Sequence, residues 1–578
     1  MLMKETQHIA HMARHRAEKY NNRTAFKYKQ GDEYAAISWT EVIKQSDQVS
    51  RFLIKNGISP DDKVGIYSQN RPQWTISDLA ILSIRAVVVP VYPTAAFSQL
   101  QYIIEETEMS VLFVGDDEQL PNALQALEQT SSLKHIVTFD CKATDNDRVT
   151  RFEDILTLDL QTEDDTLRLR LSEATASDLA TIIYTSGTTG EPKGAMLQHK
   201  QFMHAFKIHE NRLSLSDKDV SFCFLPLSHV FERTWTYLIM YNGATNVYNL
   251  NPKQVVDELP KVKPTVMCVV PRFFEKTYDA IQQTAERWPK AQKAIFNWAI
   301  QTGHQYIEYQ KDNRKAPLIL QLKGSIANAL VYKKVRQVFG GNIRFIPCAG
   351  SALNNYLLRF FHSIGLFICY GYGATETTAT VSCMPMSNYD FNFTGDIMPG
   401  IEVKINEDNM ILVKGDTIFK GYYKKPSQTA EVLKDGWYYT GDQGSIPLPG
   451  KLHMTERIKD IIKTSTGKYI SPQKIELQLS QSEKIEQICV IGDNRKYLTA
   501  LIVPALETIK QQKQITLEEE IQTDINKLQV DLPKHEHVVK IKVLGEPFSI
   551  DNTMLTNSLK VRRKQVNQIY KEQIEAMY

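Results

Sequence analysis

No stretch of this chain is long and apolar enough to cross a bilayer. The most apolar window, Ile76 to Phe97, is broken by Asp78, Arg85 and two prolines, whereas a span needs about 20 largely apolar residues. The opening segment, MLMKETQHIAHMARHRAEKY, lacks the continuous apolar core of a secretory leader. Cysteine is sparse and scattered: the 7 cysteines form no Cys-x-x-Cys pair, which excludes a zinc ribbon and argues for a reducing compartment over a disulfide framework. Neither sign of charge dominates. With 68 Lys and Arg against 66 Asp and Glu, no global field recruits nucleic acid. Tandem repeats and low-complexity segments are also missing, so a fibre or a disordered tail is excluded. A cytoplasmic location is expected, with at most peripheral attachment to the inner face of the membrane.

What is present is an ordinary globular composition, 42% hydrophobic and 23% charged over 578 residues. At roughly 150 residues per domain that length predicts three or four folding units, some of them fused. Ser38-Trp39-Thr40-Glu41 has the spacing of a capped helix start. Beyond it, strand patterns (Lys63–Tyr67, Ala86–Val91, Val111–Val114) alternate with helix patterns (Trp74–Ile84, Leu100–Glu105), which predicts parallel βαβ layers. Apolar runs recur at Leu179–Tyr184, Val266–Val270, Ile343–Pro347 and Leu366–Tyr370. From Gly400 short strands and turns predict a β-barrel-like module. A last unit of about a hundred residues (a fraction of the usual domain length) begins near Arg457, with strands at Ile488–Ile491 and Leu498–Val503 and a terminal helix from Gln565 to Met577. His8, His11 and His15 fall at helical spacing; with no carboxylate or cysteine ligand nearby they read as a solvated face, and no transition metal is assigned.

The densest chemical signal is Tyr184-Thr185-Ser186-Gly187-Thr188-Thr189-Gly190-Glu191-Pro192-Lys193-Gly194, after one strand and before a helix expected near Gln198. Glycines let backbone approach a ligand, hydroxyls and amides make an anion nest, and Lys193 adds positive charge. The bland alternative is a flexible turn. A P-loop is excluded, since no G-x-x-x-x-G-K-[ST] pattern is present.

This segment resembles the signature loop of the adenylate-forming superfamily, and motifs in that family's order run from Pro90 to Lys560. The resemblance implies an α/β fold. Its large domain, residues 1–456, would hold two parallel-sheet layers and the β-barrel-like module. A hinge at 457–460 would lead to a small mobile α+β lid, residues 461–578. It implies nucleotide contacts from Thr185, Ser186, Gly187, Thr188, Thr189, Gly190 and Lys193; from Gly350, Ser351 and Ala352; and from Tyr372, Gly373 and Thr375. Tyr372 would stack on adenine, Thr375 touch phosphate and Glu376 ligate Mg²⁺. Asp442 would bind the ribose hydroxyls, with Arg457 steadying the nucleotide. Lys459 would be the pivot, Thr466 and Gly467 would line the CoA thiol's path, and Lys560 would serve adenylation. Catalysis would thus fall to Lys560, Lys193, Thr185 and Glu376. Read alone, Gly371-x-Gly373 is a turn, Asp442 a turn residue and Lys560 one base among several in LKVRRK.

The block Leu225–Arg233, containing His229, resembles the version in long-chain fatty acyl-CoA synthetases, as do Val89–Thr94, Val270–Lys276 and Arg359–His362. The activity so implied is ATP-dependent conversion of a long-chain fatty acid to acyl-CoA through an acyl-adenylate. ATP and CoA would be co-substrates, Mg²⁺ the cofactor, and nucleic acid no partner. Alternatives are a ligase that delivers the acid to an acyl carrier protein, a phosphotransferase, and a non-catalytic fatty-acid or nucleotide-binding relative. Lys560, Arg562, Arg563 and Lys564 form a basic cluster suited to CoA phosphates or to an anionic bilayer.

Overall fold

The computed structural model describes residues 8–142, 144–185, 192–457, 461–466, 468–505, 514–550, 552–556 and 560–578. Its first sheet has eight strands among these residues, in the order Gly421–Tyr422, Lys193–Gln198, Leu179–Thr185, Val87–Val91, Lys63–Tyr67, Val111–Asp116, His135–Asp140, Val149–Arg151. From Leu179–Thr185 outward to Val149–Arg151 every pairing is parallel. Parallel sheets bury both faces, and side chains alternate between them along each strand. Val64, Ile66, Val88 and Phe113 therefore enter one apolar cluster with the helices Trp39–Lys55 and Pro72–Ser83. Their neighbours Tyr67, Val87, Val89 and Leu112 enter another, with the helices Phe97–Thr107 and Leu120–Gln129. The expected helix start at Ser38 is present, its hydroxyl accepting from the Glu41 amide at 3.2 Å.

A second layer begins with the sheet Val220–Cys223, Thr245–Tyr248, Thr24–Gln30, Glu33–Ser38. Isolated bridges, Ser221 to Val266, Val266 to Phe345 and Val269 to Cys348, carry it on to a nine-stranded sheet. The apolar run Val266–Val270 thus makes bridges rather than a strand of its own. The nine-stranded sheet starts with the parallel pair Ile346–Cys348 and Ile368–Tyr372 and continues antiparallel to Glu402–Ile405. It is open at both ends, so the β-rich module forms part of a mixed sheet and does not close into a barrel.

In the C-terminal part, Ile485–Ile491, Leu498–Pro504 and Val538–Val543 form a three-stranded sheet. Val490, Ala500 and Ile502 face the helices Pro472–Leu479 and Gln514–Leu528. Cys489, Leu501 and Val503 face Val566, Ile574 and Met577. The terminal helix expected over Gln565–Met577 is two helices, Arg563–Ile569 and Lys571–Met577, bent at Tyr570. His8 departs from the solvated face expected of it. It caps the helix Ile9–Tyr20, is 1% exposed, and stacks on His199 with ring centroids 3.5 Å apart.

One polar cluster sits inside the first layer. Arg233, in the helix Val230–Tyr241, donates from Nη2 to Asp78 Oδ1 at 2.5 Å and from Nη1 to Thr181 Oγ1 at 2.6 Å. Tyr237 donates to the other Asp78 oxygen and accepts from Arg233 Nε at 3.1 Å. Both charges are buried. The cluster ties the helix Pro72–Ser83, the strand Leu179–Thr185 and the helix after His229 to one another. No helix among the described residues is long and apolar enough to cross a membrane.

Removing one partner of a buried ion pair strands the other charge, at a cost of about 3–5 kcal/mol. Asp78→Ala should therefore lower the denaturant midpoint sharply, whereas Arg151→Ala, at an exposed pair, should leave it near the parental value. Equal midpoints in a urea titration would contradict the structural role of the pair.

Candidate active site

The glycine-rich segment joins two antiparallel strands, with Thr185 opposite Lys193. It is a hairpin loop; the strand Lys193–Gln198 intervenes before the helix His199–Glu210 that the sequence placed directly after it. Ser186, Gly187, Thr188, Thr189 and Gly190 lie outside the described residues, as do Lys459 and Gly467. The loop's two ends are described. Thr185 Oγ1 donates to the Lys193 carbonyl at 3.4 Å, and Lys193 Nζ lies 5.1 Å from the centre of the Tyr422 ring.

Tyr422 leads to the next element. Its hydroxyl donates to Glu376 Oε1 at 2.8 Å, and burial, followed by the charge of Glu376, raises its pKa. Glu376 sits in the short 3₁₀ turn Thr375–Thr377, capped by Thr377 Oγ1 accepting from the Ala374 amide at 2.9 Å. Oε2 of Glu376 accepts from none of the described residues. A half-engaged carboxylate beside hydroxyl oxygens is a donor set that suits a hard cation such as Mg²⁺. Just upstream, a side chain on Gly373 would put its Cβ 2.3 Å from the Ala379 carbonyl oxygen. Only glycine lets the strand Ile368–Tyr372 turn there.

Tyr372 and Asp442, predicted from separate motifs to hold one nucleoside, meet directly. The tyrosine hydroxyl donates to Asp442 Oδ2 at 2.5 Å, and both residues are buried. Asp442 stands opposite Arg457 in the pairing of Trp437–Leu448 with Lys451–Arg457. The turn Ala349–Gly350–Ser351–Ala352 follows the neighbouring strand Ile346–Cys348. Gly350 has φ +99°, a conformation that favours glycine. Tyr370 OH donates to the Ser351 carbonyl at 3.5 Å and accepts from the Leu353 amide at 3.2 Å.

His229 caps the helix Val230–Tyr241, its Nδ1 accepting from the Phe231 amide at 3.1 Å. Burial and then the nearby charge of Lys560 hold its pKa down at about 4. It is neutral at pH 7, and since Nδ1 accepts, the proton is on Nε2. Lys560, from the far end of the chain, thus lies near enough for His229 to feel its charge. Lys560 is held by its backbone, the amide donating to Thr556 Oγ1 at 3.0 Å. Thr466 Oγ1 shares a hydrogen bond of 2.9 Å with Thr464 Oγ1.

Of two residues that shape this site, Asn70 carried no sequence signal and Glu232 was read only as a member of the Leu225–Arg233 block. Asn70 clamps the turn before His229, accepting from the Leu227 amide at 3.0 Å and donating to the Leu225 carbonyl at 2.7 Å. Glu232 accepts from the Leu225 amide at 3.1 Å, and burial pushes its carboxyl up to about 8. Arg233, read as part of the acid-selecting block, belongs instead to the buried ion pair. Next to the turn lies a narrow apolar cavity of about 50 Å³. Phe231, Thr234, Trp235 and Leu238 form one wall, and Ala349 and Tyr372 belong to the opposite side. A cavity of this size holds a few water molecules, so a long aliphatic chain enters only if these side chains move.

Residues 13–423 match the family of AMP-binding enzymes, and residues 459–578 match the AMP-binding enzyme C-terminal domain. Long-chain-fatty-acid–CoA ligase FadD15 of Mycobacterium bovis is 31% identical over 563 residues, which cover 94% of this chain and 92% of that protein. Long-chain-fatty-acid–CoA ligase 5 of Rattus norvegicus is 31% identical over 595 residues, covering 95% and 85%. Among solved structures, the adenylation domain of a carboxylate reductase from Mycobacterium chelonae has a TM-score of 0.78 at 21% identity, covering 100% of this chain and 92% of that one. That likeness is one of fold.

The buried imidazoles set a pH dependence. His229 at about 4 and His8 at about 3 are both depressed from 6.5. Between these values the unfolded chain binds protons that the folded chain refuses, so stability rises with pH through that window. Glu232, raised to about 8, opposes this over the same window, so the test is a difference: between pH 4.5 and 6.5 the thermal midpoint of His229→Gln should climb less than that of the parent. Identical pH profiles for the two proteins would be inconsistent with a neutral buried His229.

Proposed function

The chain belongs to the AMP-binding enzyme family, and from that premise we propose that it joins a long-chain fatty acid to coenzyme A at the cost of ATP, through an acyl-adenylate. It is an AMP-forming acid–thiol ligase. In the first half-reaction a carboxylate oxygen of the acid attacks the α-phosphorus of ATP. The bond to the bridging oxygen breaks and pyrophosphate leaves. In the second, the CoA sulfur attacks the acyl carbonyl carbon, the C–O bond to phosphate breaks, and AMP leaves as the thiol proton passes to solvent.

The observation that carries this reading is the gathering of groups from distant parts of the chain. Lys560 comes within electrostatic reach of His229, while Tyr372 bonds Asp442 beside the turn that bears Glu376. In the proposed division of work, Thr185, Lys193 and the loop between them cradle the phosphates. Lys560 neutralises charge that grows on the α-phosphate oxygens. Tyr372, Gly350, Ser351, Ala352, Gly373 and Thr375 enclose the base and phosphate, and Asp442 with Arg457 holds the ribose. Glu376 would hold Mg²⁺, which when bound supplies positive charge to the phosphate oxygens. The neutral Nε2–H of His229 is a donor suited to the acid's carboxyl oxygen. Residues 461–578 act as the lid, turning about Lys459 within a hinge at 457–460, so that Lys560 gives way to the thiol moving past Thr466 and Gly467. The setting proposed is the cytoplasm, with peripheral contact at an anionic membrane.

Delivery to a carrier protein is less well supported, because relatives that match nearly the full chain are CoA ligases by name. Assaying AMP release with acids of increasing length, and with CoA against carrier-bound pantetheine, tests acceptor and substrate together. AMP release that needs the carrier and ignores CoA would reverse the assignment. Lys560→Ala should slow acyl-adenylate formation about 100-fold or more, yet leave thioester formation from supplied acyl-adenylate nearly intact. Equal loss of both half-reactions would remove that role. Glu376→Gln should raise the Mg²⁺ concentration giving half-maximal pyrophosphate exchange by about tenfold, the usual scale for a lost charged contact; an unchanged Mg²⁺ titration argues against it.

A further inference from the structure

The helix Leu318–Ala327 runs on through a π-helical turn, Asn328–Tyr332, into Lys333–Arg336. One of its faces is accounted for. Leu320, Ala327, Val331 and Tyr332 are buried, and Tyr332 OH donates to the Ala299 carbonyl of the helix Lys290–Gln310 at 2.6 Å. The other face is also apolar, and none of the described residues covers it. Leu318, Ile319 and Leu322 are 82%, 72% and 64% exposed, and Ile326 and Leu330 extend the same surface. Leu318, Leu322, Ile326 and Leu330 recur every four residues, the spacing of a single helical face. The stripe is about 18 Å long at 1.5 Å per residue. Soluble surfaces scatter single apolar side chains; an aligned row of five is a contact surface.

The charge around this stripe says what it contacts. Between Lys311 and Gly341 there are seven Lys and Arg and a single acid, Asp312. Lys311, Arg314 and Arg336 are engaged by Glu308, Asp312 and the Ile364 carbonyl. Lys315 precedes the stripe, Lys323 flanks it, and Lys333 and Lys334 close it; all four are exposed and make no ion pair among the described residues. A protein partner of mixed charge finds no complement in a border of one sign. An anionic bilayer does: the aliphatic row enters the acyl boundary, and ammonium groups snorkel to the headgroups.

The C-terminal cluster that the sequence put forward is less free to do this. Arg563 is committed to Glu476 at 2.5 Å and to the Val490 carbonyl at 3.0 Å. The stripe is linked to the site through two packed helices. Its supporting helix packs against the helix Asn355–Ser363, where a Cβ on Gly303 would come within 2.3 Å of the Ser363 carbonyl oxygen. That helix follows directly from the turn containing Gly350 and Ser351.

We propose that the Leu318–Leu330 face, bordered by Lys315, Lys323, Lys333 and Lys334, is the surface on which this protein rests on an anionic membrane. This names the face for the peripheral contact proposed above and rests on that reading, not on the ligase chemistry. The test is co-sedimentation of the full chain with vesicles of phosphatidylcholine containing phosphatidylglycerol, and with phosphatidylcholine alone. The parent protein should partition onto the anionic vesicles, less so at high salt. Leu318→Gln/Leu322→Gln/Ile326→Gln should lose about tenfold or more in partition, and Lys323→Gln/Lys333→Gln/Lys334→Gln should lose it selectively on anionic vesicles. Arg562→Gln/Lys564→Gln should bind as the parent does. All the altered side chains are exposed, and octanoyl-CoA formation from dissolved octanoate should be unchanged in the stripe variant and in the Lys323/Lys333/Lys334 variant. Loss confined to the C-terminal variant would overturn this face and keep membrane contact. Absence of binding by the parent would overturn both without touching the ligase assignment. A parent dimer that the leucine substitutions dissociate, with vesicle binding unaffected, would make the stripe a self-association surface instead.

Discussion

An ion pair shut away from water, Asp78 with Arg233, fixes the geometry on which the site depends. A guanidinium in a protein interior is tolerated only when its charge is matched and its donors are used. Here a carboxylate, a threonine hydroxyl and a tyrosine hydroxyl meet those demands from three separate elements. Thr181 lies on the strand that ends in the glycine-rich loop, and Arg233 lies one turn beyond His229. The strand that leads into the glycine-rich segment and the helix that follows the histidine thus cannot shift relative to each other without breaking the same cluster. Rigid placement of groups that must meet a transition state is what such a network provides.

Around that anchor the chain uses close backbone approach where chemistry needs room. Gly373 passes against the Ala379 carbonyl, and Gly350 takes a left-handed turn after a buried strand. Both follow parallel strands of the second layer, at their carboxyl ends, which is where open α/β sheets leave a crevice. Desolvation keeps Glu232 and His229 beside the crevice neutral. They consequently act as hydrogen-bonding groups.

Much of this was legible in sequence because the physics was local. Ser38 and Glu41 specify their own helix start, and Val87 to Val91 read as a strand because each residue suits a sheet covered on both sides. Long motifs carried the family resemblance, since several independent segments had to agree. What escaped was set by tertiary contact. The loop looked like a strand-to-helix connection because Lys193–Gln198 becomes a strand only by pairing with Leu179–Thr185. His8 looked solvated because its partner, His199, is 191 residues away in sequence. Arg233 looked like part of a substrate block until Asp78 was seen beside it, and Asn70 carried no pattern at all. The row of leucines after Pro317 was unremarkable as letters; only its exposure makes it a feature.

The hydrogen bond between Tyr372 and Asp442 has an implication for how the nucleoside is chosen. The aspartate already has a phenolic partner, so a sugar held there as proposed would trade one bond for another. Two vicinal hydroxyls can displace the phenol and gain by it, while a sugar with one or none recovers less than it disrupts. Discrimination between ribose and deoxyribose would then arise from competition with an internal surrogate.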